Sequence, residues 1–351
     1  MERDKHLNYD SHLDSILKGV SRSFYLTLRF LPSAVRHQIS IAYLIARAAD
    51  TVADTNIVPV EHRIQALKSI RNSTLTESAE TDFLLPFITD NGAADFSSDE
   101  MSLLKNFAKV MAVYRHFPPQ DRELIKMVIA DITTGQELDL LRFSAASINN
   151  IVPLSDDDEL DKYTFYVAGT VGEFWTRMCF LHILNEQKLS KNEMVSSGIR
   201  YGKGLQLINI LRDIPFDLRK GRCYIPSRSL NAFNLQPSDL LDIKNEEKFR
   251  PVYNRYLKLA VGHLECGKNY IFNIPKRYFR LRFVTALPLL IGIKTLEKLL
   301  DGKILAEKKI KISRASVKKL MLLCLLFYPI EPLWKTLFCS ERLDKFTTQP
   351  D

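Results

Sequence analysis

Glycine and proline are scarce: 13 and 15 in 351 residues, set between long stretches whose apolar residues recur every three or four positions. That pattern favours an all-α protein over a turn-dense β architecture. Cysteine is sparser still. Cys179, Cys223, Cys266, Cys324 and Cys339 are scattered, odd in number and nowhere arranged as CxxC, which excludes a disulfide framework and points to reduced thiols of a cytosolic compartment. The seven histidines show no HExxH-like spacing, against a zinc enzyme. No zinc-finger spacing, aromatic RNA-binding block or lysine-rich tail accompanies the net charge of +8, so nucleic acid is not the expected partner. The charge suits a polyanionic substrate and an anionic membrane surface instead. No apolar run approaches the roughly 20 residues that span a bilayer; Leu320 to Ile330 has eleven. The first residues, MERDKHLNYDSHLDS, are polar and lack the apolar stretch of a signal peptide. A cytoplasmic protein is expected, with Lys318, Lys319 and Trp334 making 317–338 an interfacial anchor for peripheral membrane contact.

Two carboxylate pairs stand out from this background. In YGKGLQLINILRDIPFDLRKGRCYIP (201–226), Gln206, Asn209 and Asp213 share one helix face, and Leu207, Ile210 and Leu211 supply an apolar one. Asp213 and Asp217 lie four apart among Arg212, Arg219, Lys220 and Arg222. Carboxylates beside cations suit a site where Mg²⁺ bridges protein and phosphate oxygens, although a lone DxxxD also fits an exposed helix end with surface ion pairs. The second pair, Asp50 and Asp54, follows AYLIARAA, a segment too apolar for a surface helix. Tyr43, Arg47, Asp50 and Asp54 fall on one stripe, and burying such a stripe is costly unless something pairs with it. Two such helices facing each other across a cavity would make a metal–diphosphate clamp.

Four blocks in order carry a resemblance: Ser21-Arg22-Ser23-Phe24, DTVAD at 50–54, YTFYVAGTVG at 163–172 and QLINILRDIPFDLRKGRCYIP at 206–226. Their order and spacing resemble the squalene/phytoene synthase family from about Leu17 to about Leu326, with DTVAD closer to the squalene synthase form. The resemblance implies an all-α, single-domain isoprenoid-synthase-type helical bundle around a central cavity. It would occupy 1–338, with a C-terminal apolar helix at about 317–338 and a polar tail at 339–351. It implies condensation of two farnesyl diphosphates through presqualene diphosphate, then reduction by NADPH to squalene. Phytoene, dehydrosqualene or presqualene diphosphate synthesis without reduction is the enzymatic alternative, and a non-catalytic membrane-associated assembly factor the other. The sequence leaves the oligomeric state open.

The resemblance also implies roles. Asp50, Asp54, Asp213 and Asp217 would hold Mg²⁺. Tyr163, Arg212, Asp50 and Asp213 would be catalytic. Ser21, Arg22, Phe24, Tyr43, Arg47, Tyr166, Gly169, Gln206, Asn209 and Arg222 would bind substrate. Lys311 and Arg314, in KIKISRAS, resemble a nicotinamide-associated stretch, with Ser313 where an Arg would stand; ALPLLI at 286–291 is similar to another part of it. Ala53, Thr55 and Phe216 replace acids common in the family, and Pro215 is expected to end or bend its helix and turn Asp217 elsewhere.

Periodicity places further helices at about 11–30, 32–54, 61–72, 99–116, 120–141, 159–183, 248–272 and 283–300, with loops at 73–98 and 226–237. The acids of LSDDDE (154–159) read as a loop entering a helix, where carboxylates favour the first turn. Gly169 and Gly172 each cost about 1 kcal/mol relative to Ala in a helix, which implies close approach of a neighbouring helix or ligand.

Overall fold

A computed structural model describes residues 9–21, 24–55, 58–76, 81–89, 96–184, 190–307 and 310–348. Arg22, expected to reach diphosphate, lies outside them. The described residues are helical almost throughout, in the order α1 (Ser11–Ser21), α2 (Phe24–Phe30), α3 (Ser33–Asp54), α4 (Val60–Thr76), α5 (Leu85–Ile88), α6 (Ser98–Lys105), α7 (Phe107–Arg115) and α8 (Pro119–Arg142). There follow α9 (Asp157–Thr164), α10 (Thr170–His182), α11 (Lys191–Arg219), α12 (Ser227–Asn231), α13 (Glu246–Asn273), α14 (Phe279–Asp301), α15 (Arg314–Phe327), α16 (Glu331–Thr336) and α17 (Glu341–Thr348). The helix expected over 99–116 breaks at Asn106, whose side-chain amide donates to the Ser102 carbonyl at 2.8 Å and competes with the backbone ladder. The 226–237 segment, expected as a loop, carries α12.

Two compact units divide the chain: Met1–Ser144 with Phe174–Gln187, and Ala145–Glu173 with Lys188–Asp351. In the first, α3 packs against α4, α7 and α8. Val35, Ile39, Leu44, Ile45, Ala48 and Val52 bury the apolar face that the sequence gives α3. Its C-terminus is closed by a distant cation. Buried Arg63 donates through Nη1 to the carbonyls of Ala53 at 3.0 Å and Thr55 at 2.7 Å, answering groups that a helix end leaves bare.

In the second unit α11 packs along α13 and α14. α14, apolar all round, is deeply buried rather than at a lipid surface: Ala286, Leu287, Leu289, Leu290 and Leu296 are at most 5% exposed. A two-residue parallel ladder, β1 (Val152–Pro153) with β2 (Arg222–Cys223), fixes the turn after α11. Gly221 enters it at φ 76°, and a Cβ there would lie 2.2 Å from the Ser147 amide nitrogen; only glycine fits both constraints. Asp156 caps α9 by accepting from the Glu159 amide, as the acid run suggests.

The C-terminal segment departs most from expectation. The single apolar helix over 317–338 is two helices, α15 and α16, separated around Pro329, and the polar tail folds into α17 with Leu343 buried. Trp334 is not an interfacial flank: it is 0% exposed. Its ring packs on Tyr328 and Phe338, its Nε1–H donates to Cys324 Sγ at 3.2 Å, and the Arg282 guanidinium sits 4.3 Å from its centroid. Buried Arg282 also makes a two-pronged pair with Glu331 at 3.0 and 2.8 Å. The opposite side of these helices bares Leu322, Leu326 and Ile330, 55–60% exposed, beside exposed Lys318, Lys319 and Lys335.

Candidate active site

On α3 the stripe Tyr43, Arg47, Asp50 and Asp54 forms as its spacing requires, running from a half-buried Tyr43 to an exposed Asp54. Arg47 reaches Glu100 (Nη2 to Oε1, 2.6 Å) and stands 3.9 Å from Asp50 Oδ2. Asp50 Oδ1 accepts from Gln136 Nε2 of α8 at 2.5 Å. Asp50 lies deep in protein mass, although its side chain stays 45% exposed. Burial first, and the Asp54 charge second, push its carboxyl up to about 7, against the opposing pull of Arg47 and Gln136. A carboxylate so placed wants a cation beyond those the protein supplies.

On α11, Asp213 is gripped by its neighbour Arg212, with Nε to Oδ1 at 3.1 Å and Nη2 to Oδ2 at 2.5 Å. Pro215 neither ends the helix nor redirects Asp217: α11 continues to Arg219, so Asp213 and Asp217 keep one face. The proline deprives the Leu211 carbonyl of its helical donor, and the Tyr253 hydroxyl of α13 supplies one at 3.4 Å. Gln206 and Asn209 lie on the same side, and Asn209 Nδ2 donates to Gln206 Oε1 at 3.4 Å.

Between α9 and α10 the helix widens over Phe165–Gly169 into one π turn, a form common at functional sites. Tyr166 lies in this turn, half-buried, its ring edge-on to Phe165. Just before it, Tyr163 stacks on Tyr224, with centroids 4.6 Å apart and planes at 28°. Of the glycines here, Gly172 serves backbone contact with α11. A Cβ at Gly172 would fall 2.0 Å from the Gly198 carbonyl oxygen, whereas one at Gly169 would meet Lys203 Cγ at 3.1 Å.

The remaining residues divide by exposure. Ser21 is buried at the end of α1 and bonds to the Leu17 carbonyl; Phe24 opens α2. Arg222 is half-buried in β2. Lys311 and Arg314 are exposed; Lys298 Nζ donates to the Lys311 carbonyl at 2.8 Å, which brings a third cation to this loop. Gln136, Glu100 and Tyr224 were not among the expected site residues. Only the run Gly135-Gln136-Glu137-Leu138-Asp139, which sets a small residue and acids in an otherwise apolar stretch, carries a local signal for one of them.

Among the described residues no three His, Cys, Asp or Glu side chains group closely enough to hold a metal alone. Mg²⁺ fits nonetheless, since it takes one or two carboxylates and completes its shell with water and substrate phosphates. The unmet charge demand of Asp50 agrees with that chemistry.

All-α architecture with acid pairs at i, i+4 on α3 and α11 defines a helical isoprenoid-synthase type of fold. The TcSQS complex with E5700 shares it, with a TM-score of 0.74 over 97% of each chain at 20% identity. The chain belongs to the squalene/phytoene synthase family, whose model matches residues 17–315. Among curated relatives, the squalene synthase of Saccharomyces cerevisiae is 25% identical over 90% of this chain and 67% of its own. The bifunctional lycopene cyclase/phytoene synthase of Colletotrichum graminicola is 28% identical over 69% of this chain and 39% of its own. The chain thus spans two thirds or less of the length of these relatives. Members of the family are isoprenyl transferase-type enzymes.

Proposed function

We propose that the protein is a squalene synthase-type farnesyltransferase, joining two farnesyl diphosphates to presqualene diphosphate and reducing that to squalene with NADPH. The observation that carries this reading is the pair of acid–arginine sets: Arg47 with Asp50 and Asp54 on α3, and Arg212 with Asp213 and Asp217 on α11. Asp50, Asp54, Asp213 and Asp217 would hold Mg²⁺, which when bound neutralises diphosphate as it leaves. Arg47, Arg212 and Arg22 would share that charge, and Arg can grip phosphate oxygens with two parallel bonds. Tyr163, fixed by its stack on Tyr224, would assist proton transfer from the condensing carbons or orient the departing diphosphate. Tyr166 and the π turn would present aromatic faces to the developing allylic cation. Exclusion of water by the surrounding apolar helices keeps that cation from becoming an alcohol.

Exposed Lys311 and Arg314, with Lys298 beside them, are chemically suited to the phosphates of NADPH, which would supply hydride. The bare leucine face of α15, rimmed by lysines, would rest on an anionic membrane; among the described residues no helix is long and apolar enough to cross one. The relative with phytoene synthase activity in its name favours a second reading, condensation without reduction. Extraction of products formed from farnesyl diphosphate and Mg²⁺, with and without NADPH, decides between them. Squalene should appear only with NADPH, and presqualene diphosphate should accumulate without it. An unsaturated C30 product indifferent to NADPH would establish the second reading, and absence of diphosphate release would reject condensation of this substrate in either reading.

A further inference from the structure

Gln136 occupies an unusual position. Its Nε2 donates to Asp50 Oδ1 at 2.5 Å, whereas its Oε1 is shut off from solvent and has no hydrogen-bond partner among the described residues. A buried amide oxygen without a donor costs about 1–3 kcal/mol. A glutamine kept for packing alone would be better replaced by Met or Leu, which carry no such group. Among the described residues its side chain bonds to a carboxylate 86 positions away in the chain, on a different helix of the same unit. α8 is held against α4 at this level: Arg71 bonds to Thr134 at 2.9 Å and to Glu137 at 3.2 Å, and Lys68 to Glu137 at 3.1 Å. The backbone that carries Gln136 is therefore fixed from its other side.

The bond selects between the two oxygens of Asp50. Oδ1 is occupied by the amide, and Oδ2 is turned toward Arg47, too far at 3.9 Å for a hydrogen bond. That leaves Oδ2 as the oxygen available to an incoming cation. We propose that Gln136 is a positioning residue for Asp50, fixing its carboxylate rotamer so that Oδ2 faces the metal–diphosphate site. The inference rests on the carboxylate reading above and adds a residue from α8 to it. Partners that orient a ligating carboxylate typically change metal affinity by about 10–100-fold when removed.

The test uses the full chain, with Mg²⁺ and inorganic pyrophosphate as probes and thermal unfolding as the readout. In Gln136→Met, and in Gln136→Leu as an independent replacement, the Mg²⁺ concentration giving half-maximal stabilisation should rise by about tenfold. The metal-free Tm should stay within about 2 °C of the parent or rise, because the orphaned oxygen is gone. A fall in metal-free Tm with an unshifted Mg²⁺ midpoint would assign Gln136 a packing role and overturn the proposal. Asp50→Asn, alone and combined with Gln136→Met, completes a double-mutant cycle. If Gln136 acts through Asp50, its replacement changes the midpoint little once Asp50 is neutral. An equal shift in both backgrounds would show that it acts elsewhere. Should Asp50→Asn itself leave the midpoint unchanged, the carboxylate reading fails and the positioning role with it. A shift with Asp50→Asn but none with either Gln136 variant rejects the positioning role alone.

Discussion

The Tyr253 hydroxyl donates to the Leu211 carbonyl at 3.4 Å, at the one place on α11 where Pro215 has removed the backbone donor. Two residues on different helices thus restore what a single helix cannot supply. Tyr253→Phe should lower stability by about 1 kcal/mol, the net worth of a buried hydrogen bond. In a Pro215→Ala background, where the backbone can bond to Leu211 again, most of that loss should vanish. Chemical denaturation of the four proteins measures the coupling; equal losses in both backgrounds would show that Tyr253 acts through packing alone.

Asp50→Asn and Asp213→Asn should each reduce diphosphate release from farnesyl diphosphate by several orders of magnitude while leaving far-UV circular dichroism unchanged. Each keeps the side chain's size and removes a ligand whose metal stabilises several kcal/mol of developing charge. Near-parental turnover in both would eliminate the clamp.

The Asp50 carboxyl gives stability a pH dependence. It releases its proton near 3.8 in the unfolded chain and near 7 in the folded one. Protonation therefore favours the fold: the contribution is complete below about 3.8 and is lost as pH rises through about 7. Without metal, the parent should lose stability over that interval relative to Asp50→Asn. With Mg²⁺ and pyrophosphate, binding should weaken below about 7 as the proton competes for the carboxylate. Thermal unfolding from pH 4 to 8 reads both trends, and parallel curves for parent and variant would refute the assignment.

Leu326→Ser with Ile330→Ser should weaken binding to vesicles containing anionic lipid by at least about tenfold, since burying each such side chain contributes about 1.5–3 kcal/mol. Folding should be unaffected, because both are more than half exposed. Deleting the whole segment would be uninformative, as it would take the buried Trp334 with it. Unchanged sedimentation with vesicles would show that this face does not meet the bilayer.

Lys311→Ala with Arg314→Ala should let presqualene diphosphate accumulate at parental NADPH concentrations, with Mg²⁺-dependent condensation retained. Squalene formation at the parent rate in this double variant would place the cofactor away from the loop.

Much of the site was legible because its spacing is local. Acids four apart on an apolar helix share a face whatever surrounds them, so the α3 and α11 pairs could be read from sequence. Their partners could not. Gln136 reaches Asp50 across 86 positions and Glu100 reaches Arg47 across 53, separations that only packing closes. Local rules also misled where a distant residue overrode them. Pro215 is expected to end or bend its helix, but α11 runs on to Arg219 and a tyrosine on α13 replaces the missing donor. Lys318, Lys319 and Trp334 flanking an apolar stretch suggest an interfacial anchor, but Arg282 from α14 claims the indole ring. The two-helix form of 314–336 was hidden by apolar residues continuous across the break at Pro329.

Arg282, clasped by Glu331 and covered by Trp334, ties α16 to α14, and the Trp334–Cys324 bond ties α15 to α16. Whatever grips the outer leucines of α15 therefore also grips α14, as a handle grips a blade and not as a tether holds a buoy. Attachment at that face would fix which way this unit of the protein is turned, and so, for the function proposed above, from which side its product would leave.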